Sequence, residues 1–210
     1  MPLYESFQKH NAFIDFKTKL NKYKNIMNNK IKNIILSKNL KIKKIKALCL
    51  DSKKLRTTKM LLKLGLDQRN IKLIEYDNNT HLHHIKNGIN SLNCSFEEFV
   101  QNTQIKFKYN ICVADFCNTV KSNWVGIRTL IKRIFLKNNS LLVLTFCQRT
   151  SGGSYLQHFN NLICMIKRYL MRQNKKIIFL YENFYGNPRW EHQTPMHTSY
   201  WIIKKSFNKN

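Results

Sequence analysis

The apolar positions of this chain change period near residue 44. Before it, Phe13, Phe16, Leu20, Tyr23 and Met27 recur at three- and four-residue steps with lysines between them, the spacing of one face of a basic helix. Beyond it, short apolar runs alternate with segments of helical period. The runs at 45–50, 71–76, 89–93, 109–114, 141–146, 177–181 and 199–203 predict seven strands. Helical spacing predicts helices at 55–64, 124–136 and 156–173, a helical turn at 81–86, and a helix opened by SFEEFV.

The boundary chemistry agrees with this order. Asp51 or Ser52 can cap the helix after the first strand, and Gly65 can stop it. Ser95 followed three residues later by Glu98 is a capping box. Strands that alternate with helices imply an α/β fold with a doubly wound, mostly parallel sheet. No helix is predicted between the sixth and seventh strands, so they are expected to end the sheet as an antiparallel β-hairpin. The expected organisation is a basic helical extension over residues 1–43 and an α/β domain over 44–210.

Composition changes the picture through charge. The 210 residues hold 37 Lys and Arg against 11 Asp and Glu, a formal net charge of +26. A bias toward Lys, Asn, Ile, Phe and Tyr is what AT-rich genomes produce, as in a giant virus, a protist or an organelle. That bias accounts for abundant lysine but not for scarce acids. A domain this basic repels itself, and a polyanion is its natural counter-charge, so nucleic acid is the expected partner. Lysine in excess of arginine suits phosphate tracking more than base-specific forks. With 43% hydrophobic and 12% aromatic residues a packed core is expected. No run of about 18 apolar residues predicts a membrane span, and no secretory signal is expected. Cys49, Cys94, Cys112, Cys117, Cys147 and Cys164 form no CxxC pair and read as buried thiols. The expected setting is therefore a reducing one: cytoplasm, nucleus, organelle matrix or virus-infected cell.

With acids so scarce, their positions carry information. Asp51 ends the first predicted strand, Glu75 and Asp77 the second, and Asp115 the fourth. In open α/β sheets, ligands bind at the carboxyl ends of the strands. Five βα units closed by a β-hairpin, with acids at these strand ends, resemble the class I S-adenosylmethionine-dependent methyltransferases from about residue 45 to 205. The resemblance implies S-adenosylmethionine as cofactor. It places Asp51 near the methionine amino group and Glu75 or Asp77 on the ribose hydroxyls. It puts Glu97 or Glu98 near the adenine side, although the capping box already accounts for that pair. Asp115 falls at the catalytic position. One departure stands out. The family's glycine-rich first turn here reads DSKKLRT, without glycine; Ser52, Thr57 and Thr58 offer hydroxyls instead.

The turn after the fourth strand, ADFCNTVKSNW, keeps an acid and an aromatic but lacks the two prolines of amino-directed methyltransferases. Phe116 would stack on a base and Asn118 would hydrogen-bond its edge. Cys117 and Cys147 fall where cytosine-C5 enzymes acting on RNA carry cysteines, with Arg149 near enough to depress a thiol pKa. Buried strand-end cysteines are the alternative. The loop QRTSGGSY offers Arg149, Ser151 and Ser154 as an anion nest. The segment 181–197 brings Tyr185, Arg189, Trp190 and His192 together as a base-stacking or substrate lip, or as a loop packed by its own aromatics. His81, His83 and His84 have no partners at metal-ligand spacing, and no metal is expected. The activity implied is methyl transfer to nucleic acid, RNA before DNA. The alternative is a catalytically silent relative that binds nucleic acid or serves as a structural subunit of a nucleoprotein assembly.

Overall fold

The computed structural model describes residues 23–37, 42–103, 108–116, 118–133, 135–148, 154–185 and 196–206. After helix α1 (23–37) come β1 (Ala47–Cys49), α2 (Arg56–Lys63), β2 (Ile71–Glu75), α3 (Asn78–Lys86), β3 (Asn90–Asn93) and α4 (Phe96–Asn102). The chain continues through β4 (Tyr109–Asp115), α5 (Trp124–Lys132), β5 (Leu136–Cys147), α6 (Tyr155–Met171), β6 (Lys175–Tyr185) and β7 (Met196–Lys205). The strands form one seven-stranded sheet in the order β3-β2-β1-β4-β5-β7-β6. Neighbours from β3 to β5 are parallel, whereas β7 lies antiparallel between β5 and β6. The doubly wound sheet with a terminal antiparallel hairpin is therefore the observed architecture.

Period-two alternation sends each central strand into two cores. Ile111 and Val113 of β4 face one side with Tyr200 and Ile202 of β7, against α1 and α2. Cys112 and Ala114 face the other, with Phe146, Phe159 and Trp201, against α4, α5 and α6. Helix α1 lies on the first face. Its Met27, Ile31, Ile34 and Ile35 are buried at helical spacing, while Lys32 and Asn33 on the opposite side are exposed.

Several elements differ from the sequence expectation for local reasons. The predicted turn at 81–86 is a full helix, because Asp77 caps it by accepting from the Thr80 amide at 2.7 Å. Helix α5 ends at Lys132 and does not reach 136, since the Tyr109 amide donates to the Phe135 carbonyl at 2.7 Å and draws that segment to the sheet edge. Strand β5 therefore starts at Leu136 and crosses Asn139, at φ 60, where the register with β4 shifts. The hairpin strands are longer than predicted: pairing continues out to Tyr185 with Met196, taking up both ends of the aromatic segment 181–197. The capping box at Ser95 and Glu98 forms as read.

The first turn shows how a glycine-free loop keeps a glycine geometry. Leu55 sits in the left-handed region at φ 53 and ψ 38 and closes a turn by donating its amide to the Ser52 carbonyl at 2.8 Å. Its side chain points into the core, 2% exposed, which offsets the backbone strain. Leu55→Ala and Leu55→Gly both lose that burial, but only glycine relieves the strain. Leu55→Gly is expected to be the more stable of the two by about 1 kcal/mol, measured by urea denaturation. The reverse order would show that no strain is held at this position.

A candidate cleft at the carboxyl ends of the strands

β1 and β4 end side by side: Cys49 pairs with Val113, and the Leu50 amide donates to the Val113 carbonyl at 2.9 Å. Asp51 and Asp115 each lie two residues beyond that pair, so two of the chain's few acids meet at one edge. Asp51 is 5% exposed. Its Oδ2 accepts from the Thr58 amide at 2.8 Å and the Thr58 hydroxyl at 2.9 Å, which ties it to the start of α2. Its Oδ1 is buried and has no partner. Burial pushes the Asp51 carboxyl above its ordinary pKa, against the pull of Lys24 and of the Thr58 bonds.

Lys24 is the group that sequence reasoning missed. It reaches down from the start of the described part of α1 and donates to Asp115 Oδ2. Burial alone would lower its pKa; the carboxylates of Asp115 and Asp51 more than compensate and hold it above the ordinary lysine value. Further contacts seat the same end of α1 over these strand ends. Thr57 donates to Asn28 Oδ1 at 3.1 Å, and the Thr145 hydroxyl lies 3.9 Å from the Met27 sulfur. Nothing in the sequence distinguishes Lys24 from the other lysines of that segment.

The remaining candidates divide. Glu75 and Asp77 stand at the end of β2; Glu75 Oε1 accepts the Asp77 amide at 2.8 Å. Hydrogen bonds from Thr80 hold the Asp77 carboxyl below its ordinary range, so it is ionised at neutral pH. Ser52 is exposed beside Lys53 and Lys54, whose side chains also face outward. Two expectations are corrected. Thr57 is fully buried and its hydroxyl is engaged by α1, so it faces the core and not the cleft. Phe116 is 5% exposed, stacked on Phe146 at 5.6 Å and edge-on to Phe96 at 5.3 Å; it is a core ring, not a platform for a base. Asn118 is exposed, and its carbonyl accepts from the Cys147 amide at 3.0 Å. Cys117, Arg149, Ser151, Arg189, Trp190 and His192 lie outside the described residues, as does the side chain of Tyr185.

Two of the three histidines of HLHH are accounted for by packing. His81 and His84 both approach the Ser91 hydroxyl, at 3.1 and 3.4 Å, and His84 reaches the Ser52 carbonyl at 3.4 Å, bracing the first turn from α3. Among the described residues no group of His, Cys, Asp and Glu is arranged to hold a metal. No described helix is long and apolar enough to cross a membrane.

A second unforeseen cluster lies at the same edge, on the opposite face. His197 opens β7 opposite Phe146; its Nδ1 is 2.6 Å from the Tyr155 hydroxyl and its Nε2 is 3.2 Å from Glu182. Burial lowers its pKa below the ordinary 6.5 despite the opposing Glu182. The neutral ring therefore accepts from the phenol and donates to the carboxylate. The unfolded chain binds this proton more readily than the folded one. The contribution to stability is thus full above the ordinary histidine pKa and falls as pH drops through it. Denaturation midpoints should decline from about pH 7.5 to about pH 5, and His197→Gln should flatten that decline. An unchanged slope would remove His197 as its source.

A seven-stranded sheet with this order, mostly parallel and closed by an antiparallel hairpin, is the Rossmann-like fold of the class I methyltransferases. Solved structures agree. HI0767 of Haemophilus influenzae, assigned as a methylase, superposes with a TM-score of 0.60 at 12% identity, over 85% of this chain and 89% of that one. The plantazolicin methyltransferase BamL, solved with S-adenosylhomocysteine, gives 0.53 at 14% identity, over 76% of each chain. A SAM-dependent methyltransferase of Methanosarcina mazei gives 0.50 at 10% identity, over 81% of this chain and 97% of its own. No protein-family model matches the chain, and no curated protein matches its sequence.

Proposed function

We propose that the protein is an S-adenosylmethionine-dependent methyltransferase acting on nucleic acid, RNA before DNA. The observation that carries the reading is the buried, unpartnered Oδ1 of Asp51 at the head of a turn that keeps left-handed geometry without glycine. A buried carboxylate oxygen without a donor is costly, and a ligand ammonium relieves it. Glu75 and Asp77 stand at the next strand end with carboxylates suited to a ribose diol, and Asp77 Oδ2 also caps α3. The outward side chains of Ser52, Lys53 and Lys54 leave the inner side of the turn to backbone. The cofactor would supply a methyl group on a sulfonium. The chain would hold its polar ends, shield it from water and keep Asp115 at the strand end nearest the transfer. The excess of 37 basic over 11 acidic residues supports a polyanionic acceptor.

One observation favours the silent alternative: Asp115 is already engaged by Lys24, so it is not open to a target amine in this state. Calorimetric titration with S-adenosylmethionine and S-adenosylhomocysteine separates the two readings. Micromolar binding supports the enzyme. No heat at millimolar ligand, in protein shown to be folded, leaves a nucleic-acid-binding relative without the reaction.

A further inference from the structure

The strands from β1 to β6 all begin at the edge of the sheet opposite the gathered acids, and β7 ends there. Charge is divided between the two edges. Asp51, Glu75, Asp77, Asp115 and Glu182 stand toward the carboxyl edge, and Glu97 and Glu98 open α4 there. Among the described acids only Asp67 lies at the amino edge, beside β2, where it is paired with Arg69 at 2.6 Å. Lysines crowd the other end of that edge. Lys108 precedes β4, Lys137 follows the first residue of β5, and the outer hairpin sets Lys175 opposite Lys205 and Lys176 opposite Lys204. Like charges directly opposite on neighbouring strands destabilise a sheet. The Lys175 ammonium donates to the Leu136 carbonyl at 3.1 Å, and burial and the Lys108 charge hold its pKa below the ordinary lysine value. Lys176, Lys204 and Lys205 are exposed, so packing does not require lysine at them. A genome bias scatters lysines; it does not also clear the acids from one edge.

We propose that the amino edge of the sheet, from Lys108 across to the facing pairs of the outer hairpin, is a docking surface for the phosphate backbone of nucleic acid. This rests on the nucleic-acid part of the reading above and is independent of the cofactor. Neighbouring strands lie about 4.8 Å apart, so the lysines from β4 to β6 spread over about 14 Å, a run of phosphates and not a single one. Exposed Asn138, Asn174 and Ser206 stand among them, residue types that hydrogen-bond phosphate and sugar. Lysine lacks the planar fork of arginine, so this surface tracks the backbone without reading sequence. Strand β4 separates it from Asp115. Its 7 residues span about 23 Å at roughly 3.3 Å each, the rise of about seven base pairs of duplex. An acceptor held at the amino edge must wrap that distance to reach the strand ends where transfer is placed. That selects a long or folded nucleic acid over a short oligonucleotide.

The test compares two variants that lose the same charge. The first combines Lys175→Gln, Lys176→Gln, Lys204→Gln and Lys205→Gln. The second combines Lys54→Gln, Lys59→Gln, Lys121→Gln and Arg128→Gln, at exposed positions off that edge. Binding to single-stranded RNA and to duplex DNA is titrated against salt, with thermal melts to show folding. In the first variant the loss of affinity between roughly 50 and 200 mM salt should be about 50- to 150-fold smaller than in wild type, the contribution of about four phosphate contacts at slopes of about 0.7 to 0.9 each. The second variant should keep the wild-type slope. Equal change in both variants, or no change in the first, overturns the docking surface and leaves the nucleic-acid reading standing. If the first variant does not fold, Lys204→Gln with Lys205→Gln carries the test, with an expected change of about 7- to 12-fold. Vesicles of phosphatidylserine and phosphatidylcholine are the third ligand. Vesicle binding lost with these lysines while nucleic-acid binding is kept assigns the edge to lipid and overturns the proposal. Folded wild type that binds neither nucleic acid overturns the nucleic-acid reading, and this inference with it.

Discussion

Asp51→Asn is expected to weaken S-adenosylhomocysteine binding by about 10- to 150-fold while the protein remains folded. The substitution isolates charge from scaffold. The amide oxygen of asparagine can still accept from the Thr58 amide and hydroxyl, which now bond Asp51 Oδ2 at 2.8 and 2.9 Å, so the start of α2 keeps its anchor. What is lost is the negative charge facing a ligand ammonium. Burial holds the Asp51 carboxyl above its ordinary pKa, so binding to wild type should also weaken toward acid pH as that carboxyl takes up a proton. The variant should lack this acid-side loss. Calorimetry on both proteins across the acid range checks the two statements together. Equal affinity for wild type and variant would remove Asp51 from the site.

Nucleic-acid affinity is expected to fall steeply with salt. A protein that neutralises 6–10 phosphates loses about 10³- to 10⁵-fold between roughly 50 and 200 mM salt. With 37 basic and 11 acidic residues, this chain has the cations for contacts on that scale. Some of the acids are turned inward: Asp115 pairs with Lys24 and Asp51 is buried against Thr58, so both do little to screen the surface lysines. The slope of log affinity against log salt is about −0.7 per contact for single strands and −0.9 for B-form duplex. Titrating single-stranded RNA and duplex DNA of equal length therefore gives the number of contacts on each. A flat response on both would remove the polyanion as partner and leave the charge to genome composition.

What could be read in advance follows from how local each signal is. The central strands β1 and β4 were legible because their apolar runs are buried on both faces of the parallel part of the sheet. The strand-end acids were legible because an apolar run stops at each of them, and acids are scarce in this chain. The cap at Ser95 depends on a contact only three residues away, whereas the cap at Asp77 was not read and the helix it opens was expected only as a turn. Phe116 could have been placed correctly: it shares strand parity with Cys112 and Ala114, and parity sends it to the same core. Its position after an acid at a strand end suggested exposure, and alternation was the stronger rule. The end of α5 was misread because Phe135 and Leu136 continue an apolar helical pattern, and pairing with Tyr109 outweighs it.

The sequence by itself determined the element order, the doubly wound sheet with its closing hairpin, and the edge at which the acids gather, because these rest on period, burial and local caps. Only the tertiary structure decided what stands next to those acids. Lys24 meets Asp115 across 91 residues of chain, and His197 meets Tyr155 across 42. A lysine among many lysines acquires a distinct role only when packing of Met27, Ile31 and Ile35 fixes the rotation of α1 and drives one ammonium out of water. The first turn follows the same logic. No local preference puts leucine at φ 53. The core that buries the Leu55 side chain does, and it keeps the shape of a glycine turn where the sequence has none.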